Sequence, residues 1–218
     1  YNILPIKLDT RTDGYGLLML SNKNTQESYN NMLLSEYKLA IGEEVGETPV
    51  YDKVTDFTSR INDLTLYKRL EALDYAGVID ICEKTIACEK DVSDRVFYTA
   101  VANKVSMLIL SGNLEEGKEY WISQKLDTKK NIIACYNAPS IRAYALISAF
   151  VDGSEIETKH ALDKVDSVIR ATATNKRAVE DKLIDVVFET VVKGRPEWDF
   201  KDYQDAPEEE AENDSEEA

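Results

Sequence analysis

The sequence predicts an all-α fold of stacked helical hairpins, an α-solenoid, with an extended N-terminal arm and a disordered acidic C-terminal tail. Three observations predict it. Apolar residues recur at spacings of three and four from about residue 57 to residue 192. Gly77, Gly112 and Gly153 interrupt that pattern where hairpin turns are needed. Acidic residues crowd the last stretch of the 218-residue chain. An irregular helical bundle is the alternative that the same periodicity allows.

Residues 1–24 form the arm. Ile3, Ile6 and Leu8 partly alternate with polar residues, and Leu17 to Leu20 is a short apolar run after Gly14 and Gly16. An extended strand or hairpin laid on the body fits both. There is no basic segment followed by an apolar core, so no secretory signal is visible, and no initiator Met, so a processed product or a fragment is expected. The helical domain is expected over 25–195. Asn24 or Thr25 reads as an N-cap, with Glu27 three residues after Asn24. The helix that follows should place Tyr29, Met32, Leu33, Tyr37 and Leu39 on its apolar side, to about Ile41. A loop marked by Gly42, Gly46 and Pro49 comes next. Helices are then expected from Phe57 to Tyr75, Val78 to Cys88, Ser93 to Leu110, Leu114 to Lys125, Ile141 to Val151, Glu155 to Arg170 and Lys176 to Val192. Asp127 to Lys130 reads as a polar loop, and Gly194 with Pro196 closes the last helix.

The breakers suggest an internal repeat. Gly77 and Gly112 are 35 residues apart. That shift pairs Leu66 with Val101, Leu70 with Val105, Leu73 with Leu108, Ile79 with Leu114 and Cys82 with Gly117, apolar on apolar and small on small. The segment from Gly112 to Trp121, with its turn glycine, an apolar residue two on and a small residue five on, resembles the tetratricopeptide repeat. Gly77, Ile79 and Cys82 match the same roles, and a third hairpin turns at Gly153, 41 residues after Gly112. The resemblance covers about residues 60–170. It implies helical pairs that bury their apolar faces only by stacking, and a curved surface suited to binding protein. Arg69 and Lys104 fall at paired positions where the family has a large apolar residue, which makes them candidate partner contacts.

Charge is uneven. Glu197–Ala218 holds 11 acidic residues and one basic one, a net −10 out of −15 for the whole chain. Such a block repels itself and buries nothing, so residues 196–218 are expected to be disordered. Trp198, Phe200 and Tyr203 lie within it, spaced by acids. Aromatics are costly to leave in water, so these three are candidate partner-binding residues: a short motif for a basic, apolar groove. The same segment could instead fold back on the body. The body has no long basic cluster, so it is not expected to bind nucleic acid directly.

Several chemistries have no support in the residues. Cys82, Cys88 and Cys135 form no CxxC pair and His160 is the single histidine, so no zinc set is expected. Buried cysteines in a reducing, cytoplasmic or intracellular compartment are the expectation. His160, between Lys159 and Asp163, should face water. Glu115 and Glu119 read as a solvated face rather than an acid/base pair. Arg11 to Gly16 is a turn-rich stretch, not a phosphate loop, and no calcium loop, P-loop or GxSxG is present. No apolar run approaches the roughly 18 residues of a membrane span. No catalytic residue, cofactor or metal is therefore expected. The reading is a non-enzymatic protein–protein interaction protein, either a helical adaptor or a structural subunit of a larger assembly. A virion or other multi-protein complex fits the plan of arms on a helical body. The alternatives are a regulator of a nucleic-acid enzyme that uses its acidic tail as a phosphate mimic, and an enzyme with an unseen site.

Overall fold

The computed structural model describes residues 23–200, apart from Gly42, Glu44 and Glu47, together with Leu17, Leu20 and Ser21. All regular structure among them is helical, with no strand. Helices α1 to α6 are Lys23–Ala40, Thr58–Glu71, Tyr75–Ala87, Asp94–Leu110, Leu114–Ser123 and Leu126–Ala134. Helix α7, Ala138–Ile147, continues as a π turn over Ser148–Asp152. Helices α8, α9 and α10 are Glu155–Leu162, Val165–Ala171 and Thr174–Gly194. The expected arm lies mostly outside the described residues. Leu17, Leu20 and Ser21 within it are helical rather than extended, and α1 begins before the expected caps.

Local chemistry sets the boundaries. Asp74 caps α3 by accepting from the Gly77 amide at 3.0 Å, Asn137 caps α7 from the Ser140 amide at 2.9 Å, and Ser154 caps α8 from Glu157. Pro139 sits in the first turn of α7, where its missing N–H costs nothing. The loop before α2 is held by Asn62, whose amide oxygen accepts from Tyr51 N at 2.8 Å and whose Nδ2 donates to Tyr51 O at 2.9 Å.

Three hairpins, α2–α3, α4–α5 and α7–α8, turn through one left-handed residue each. These are Leu73 (φ 55°), Gly112 (φ 87°) and Gly153 (φ 65°). In the first, Asp74 N donates to Arg69 O and Leu73 N to Leu70 O. In the second, Asn113 N donates to Leu108 O and Gly112 N to Ile109 O. Both are Schellman closures, and equivalent bonds lie 39 residues apart, not 35. Gly77 is therefore not a turn residue. It lies inside α3, where a Cβ would stand 2.3 Å from Asp74 Oδ2 and 1.8 Å from the Arg69 guanidinium. The third turn is wider: Ser154 N reaches back to Ser148 O at 2.8 Å, closing the π turn.

Two further expectations differ. The polar loop at Asp127 to Lys130 belongs to α6, because Thr128 and Ile132, four residues apart, are buried against α4 and α7. The single helix over Glu155 to Arg170 is two. Ala161 and Leu162 join the main core, whereas Val165, Val168 and Ile169 pack on Ala138 and Ile141. One straight helix cannot present both stripes, so the chain turns at Asp163–Lys164.

The last helix fixes the architecture. Helix α10 runs back across α2, α4 and α7, the first helix of each hairpin. Leu183, Val187 and Val191 on its buried stripe are fully covered. Lys182 Nζ, near its middle, donates to Glu71 O at 2.8 Å, and Arg195 Nε, just past its C-terminal end, donates to Ala149 O at 2.8 Å. An open stack would leave that inner face to solvent or to a partner; here the chain fills most of it. Gly112→Ala is expected to destabilise the protein by about 1 kcal/mol in urea unfolding. Nothing lies within 4 Å of the added Cβ, so the cost comes from the positive φ alone.

Candidate functional site

Arg142 on α7 and Glu180 on α10 are both completely buried. Arg142 Nη1 lies against Glu180 Oε2 as an ion pair. Arg142 Nη2 donates to Asn103 Oδ1 on α4 at 2.7 Å, and the Tyr67 hydroxyl on α2 donates to Glu180 Oε1 at 2.6 Å. Four helices therefore meet at one polar cluster, which holds the two charged side chains that are buried among the described residues. Burial pushes the Arg142 pKa down to about 10, so it stays cationic at neutral pH. Burial, and then the Asp63 carboxylate, hold the Tyr67 phenol well above its ordinary range. It remains a donor to Glu180.

A cavity of about 430 Å³ opens above this cluster, between α2, α4 and the α9–α10 junction. Asn103 and Tyr67 belong to its lining, with Leu66, Val96, Pro139 and Val168 among its apolar residues. Asp63 is the single acidic residue lining it, beside the cations Arg60, Arg95 and Lys176. Lys176 pairs with Asp63, and its ammonium stands 4.1 Å from the centre of the Tyr67 ring. Cys82 also lines the cavity, but burial pushes its thiol up to about 12. The thiolate needed for nucleophilic chemistry is therefore scarce at neutral pH.

The sequence-predicted residues are not gathered at this site. Arg69 donates to Asp74 Oδ2 at 2.9 Å and covers Gly77, tying α2 to α3. Lys104 bonds Glu83 at 2.7 Å and lies 4.4 Å from the Tyr120 ring centre, tying α4 to α3 and α5. Both are staples within the helix stack. Phe200 is 4% exposed and sits in the main core, edge-on to Phe188 with centroids 5.8 Å apart. Trp198 packs 5.2 Å from the Arg195 guanidinium. The segment through Phe200 thus packs on the body, as its folding-back alternative has it, and residues 201–218 lie outside the described residues. Tyr203 lies outside the described residues. His160 is exposed, 3.8 Å from Glu157.

The sequence reading missed Arg142, Glu180, Tyr67 and Asn103. A signal existed. Glu180 falls on the stripe of Leu183, Val187 and Val191, three, seven and eleven residues before them, and Arg142 interrupts an apolar run from Ile141 to Ile147. A charge on a buried stripe calls for a buried partner. Among the described residues no cluster of His, Cys, Asp and Glu could hold a metal ion, and no helix is long and apolar enough to cross a membrane. No protein-family model, curated protein or solved structure matches the chain.

Tyr67→Phe leaves Glu180 Oε1 without its donor in a dry site. It is expected to cost about 2 kcal/mol in urea unfolding, with the circular dichroism spectrum unchanged.

Proposed function

We infer that this chain is a protein–protein interaction subunit, built from helical hairpins similar to tetratricopeptide repeats and acting by binding rather than by chemistry of its own. The observation that carries the reading is the outer face of α1. Leu34, Tyr37 and Ile41 lie there at 54%, 62% and 50% exposure, spaced three and four residues apart, with Leu33 beside them. The sequence reading assigned Leu33 and Tyr37 to the buried side. Of the residues expected there, the structure buries Tyr29 and Met32, against Phe57 and Ile61. Large apolar side chains in a continuous helical stripe favour docking into a groove on a protein partner. The occupied inner face supports the same reading: with α10 lying across α2, α4 and α7, contact with a partner falls to outer faces such as this one.

Tagged chain, recovered from its native source with its bound partners, tests this. Leu34→Glu/Tyr37→Glu is expected to lower partner recovery at least tenfold. Ala171→Trp, which fills the mouth of the cavity and leaves α1 untouched, should keep it. Recovery unchanged by the α1 substitutions would contradict the reading.

A further inference from the structure

The α1 stripe leaves the cavity between α2, α4 and the α9–α10 junction without a role. Much of its polar lining is already engaged within the protein. Asn62 uses its oxygen and its Nδ2 on Tyr51. Asn137 uses its oxygen on Ser140 N and its Nδ2 on Thr99 Oγ1. Tyr67 donates to Glu180, and the Asp63 carboxylate is held by Lys176. Two donors on the α4 wall are left over. Asn103, 3% exposed, has its Oδ1 taken by Arg142 at 2.7 Å, which leaves its Nδ2. A bond to a guanidinium polarises that amide and makes Nδ2 the stronger donor. Thr99 Oγ1 accepts from Asn137 at 3.2 Å, which leaves its hydroxyl proton.

These donors stand in a row. Arg95, Thr99 and Asn103 follow one another at four-residue intervals on α4, so they share one face and rise about 12 Å along it. All three line the cavity. Arg95 is exposed, Thr99 half-buried and Asn103 buried, so the row runs from the mouth to the floor. Around it lie Leu66, Ile81, Ala100, Pro139 and Val168. A cationic ligand would find one carboxylate in this lining, and Lys176 already holds it. A ligand that carries acceptors finds a guanidinium, a hydroxyl and an amide N–H in line over apolar walls. The volume of about 430 Å³ suits a small molecule. We propose that this cavity binds a small organic acid: its carboxylate at Arg95, its apolar body against Leu66, Ile81 and Val168, and a second accepting oxygen, a carbonyl, at Thr99 and Asn103 Nδ2. The proposal goes beyond the α1 reading and is independent of it, since none of these residues lies on α1.

The probe that tests it is para-acetylbenzoate, which carries a carboxylate and a carbonyl at opposite ends of one ring. Two analogues each lack one of these groups: para-ethylbenzoate the carbonyl, and para-methylacetophenone the carboxylate. Each is titrated into the full chain with isotope-labelled Ile, Leu and Val methyl groups and followed by NMR. Para-acetylbenzoate is expected to bind with a Kd of about 1 mM or below, ordinary for a fragment of its size. It should shift the methyls of Leu66, Ile81, Val96 and Val168. Each analogue should bind at least fivefold more weakly. Arg95→Gln should weaken para-acetylbenzoate at least fivefold and leave para-methylacetophenone unchanged, a split that a general loss of structure would not produce. Ala171→Trp, at the mouth, should abolish the shifts with all three. No shift of those methyls at about 10 mM para-acetylbenzoate, shifts confined to other surfaces, or equal binding of the three compounds would overturn the proposal.

Discussion

The buried pair of Arg142 and Glu180 is the constraint on which the rest of the structure depends. Two charges with no exposed surface cannot be left unpaired, because the cost of removing either from water is several kcal/mol. Each must find the other, and Arg142 Nη2 and Glu180 Oε1 recruit Asn103 and Tyr67. This fixes more than one contact. Glu180 sits on the same stripe as Leu183, Val187 and Val191, so sliding α10 by one turn would drive its carboxylate into an apolar wall. The apolar residues alone would tolerate such a slip far better. The polar cluster sets the register of α10 against α2, α4 and α7.

Once that register is set, the outer features follow. The hairpins supply three first helices, and α10 crosses all of them. Its far end is tied down by Arg195 on Ala149 O and by the close approach of Gly194 to Phe150, where a Cβ would meet the ring at 2.4 Å. The chain then folds Trp198 and Phe200 onto the same end. Two aromatic residues that look like bait for a partner, Trp198 and Phe200, pack on the core instead. The near end leaves a gap against α2 and α4, and that gap is the cavity. Its mouth and its floor are therefore consequences of where α10 starts, and the cations on its rim come from α2, α4 and α10 itself.

Much of the helix layout was legible in the sequence, because three-and-four periodicity reports burial directly. Ser93 to Leu110 and Lys176 to Val192 were read within two residues of α4 and α10. The turns were less legible. A left-handed Leu73 carries no glycine to mark it, so Gly77 drew the register four residues too far. The split between α8 and α9 was hidden because Ile156 to Ile169 reads as one stripe until it is known that its halves face different neighbours. On α1, Tyr29 and Met32 are buried as expected but Leu33 and Tyr37 are not, for a related reason. Leu33, Leu34, Tyr37 and Ile41 form as good a stripe as Tyr29 and Met32, and sequence cannot say which one the body covers. Of the candidate site, Arg142 and Glu180 were visible as misplaced charges. Asn103 and Tyr67 were not, since a polar side chain between apolar neighbours becomes informative only when its partner is known.

A double-mutant cycle on Arg142 and Glu180, followed by urea unfolding, tests the central claim most directly. If the pair fixes α10, Arg142→Met and Glu180→Leu should each cost about 3 to 5 kcal/mol, because each strands the opposite charge. The combined variant should be far more stable than the sum of the two losses, within about 2 kcal/mol of the parent. Additive losses, or single variants as stable as the parent, would contradict the account.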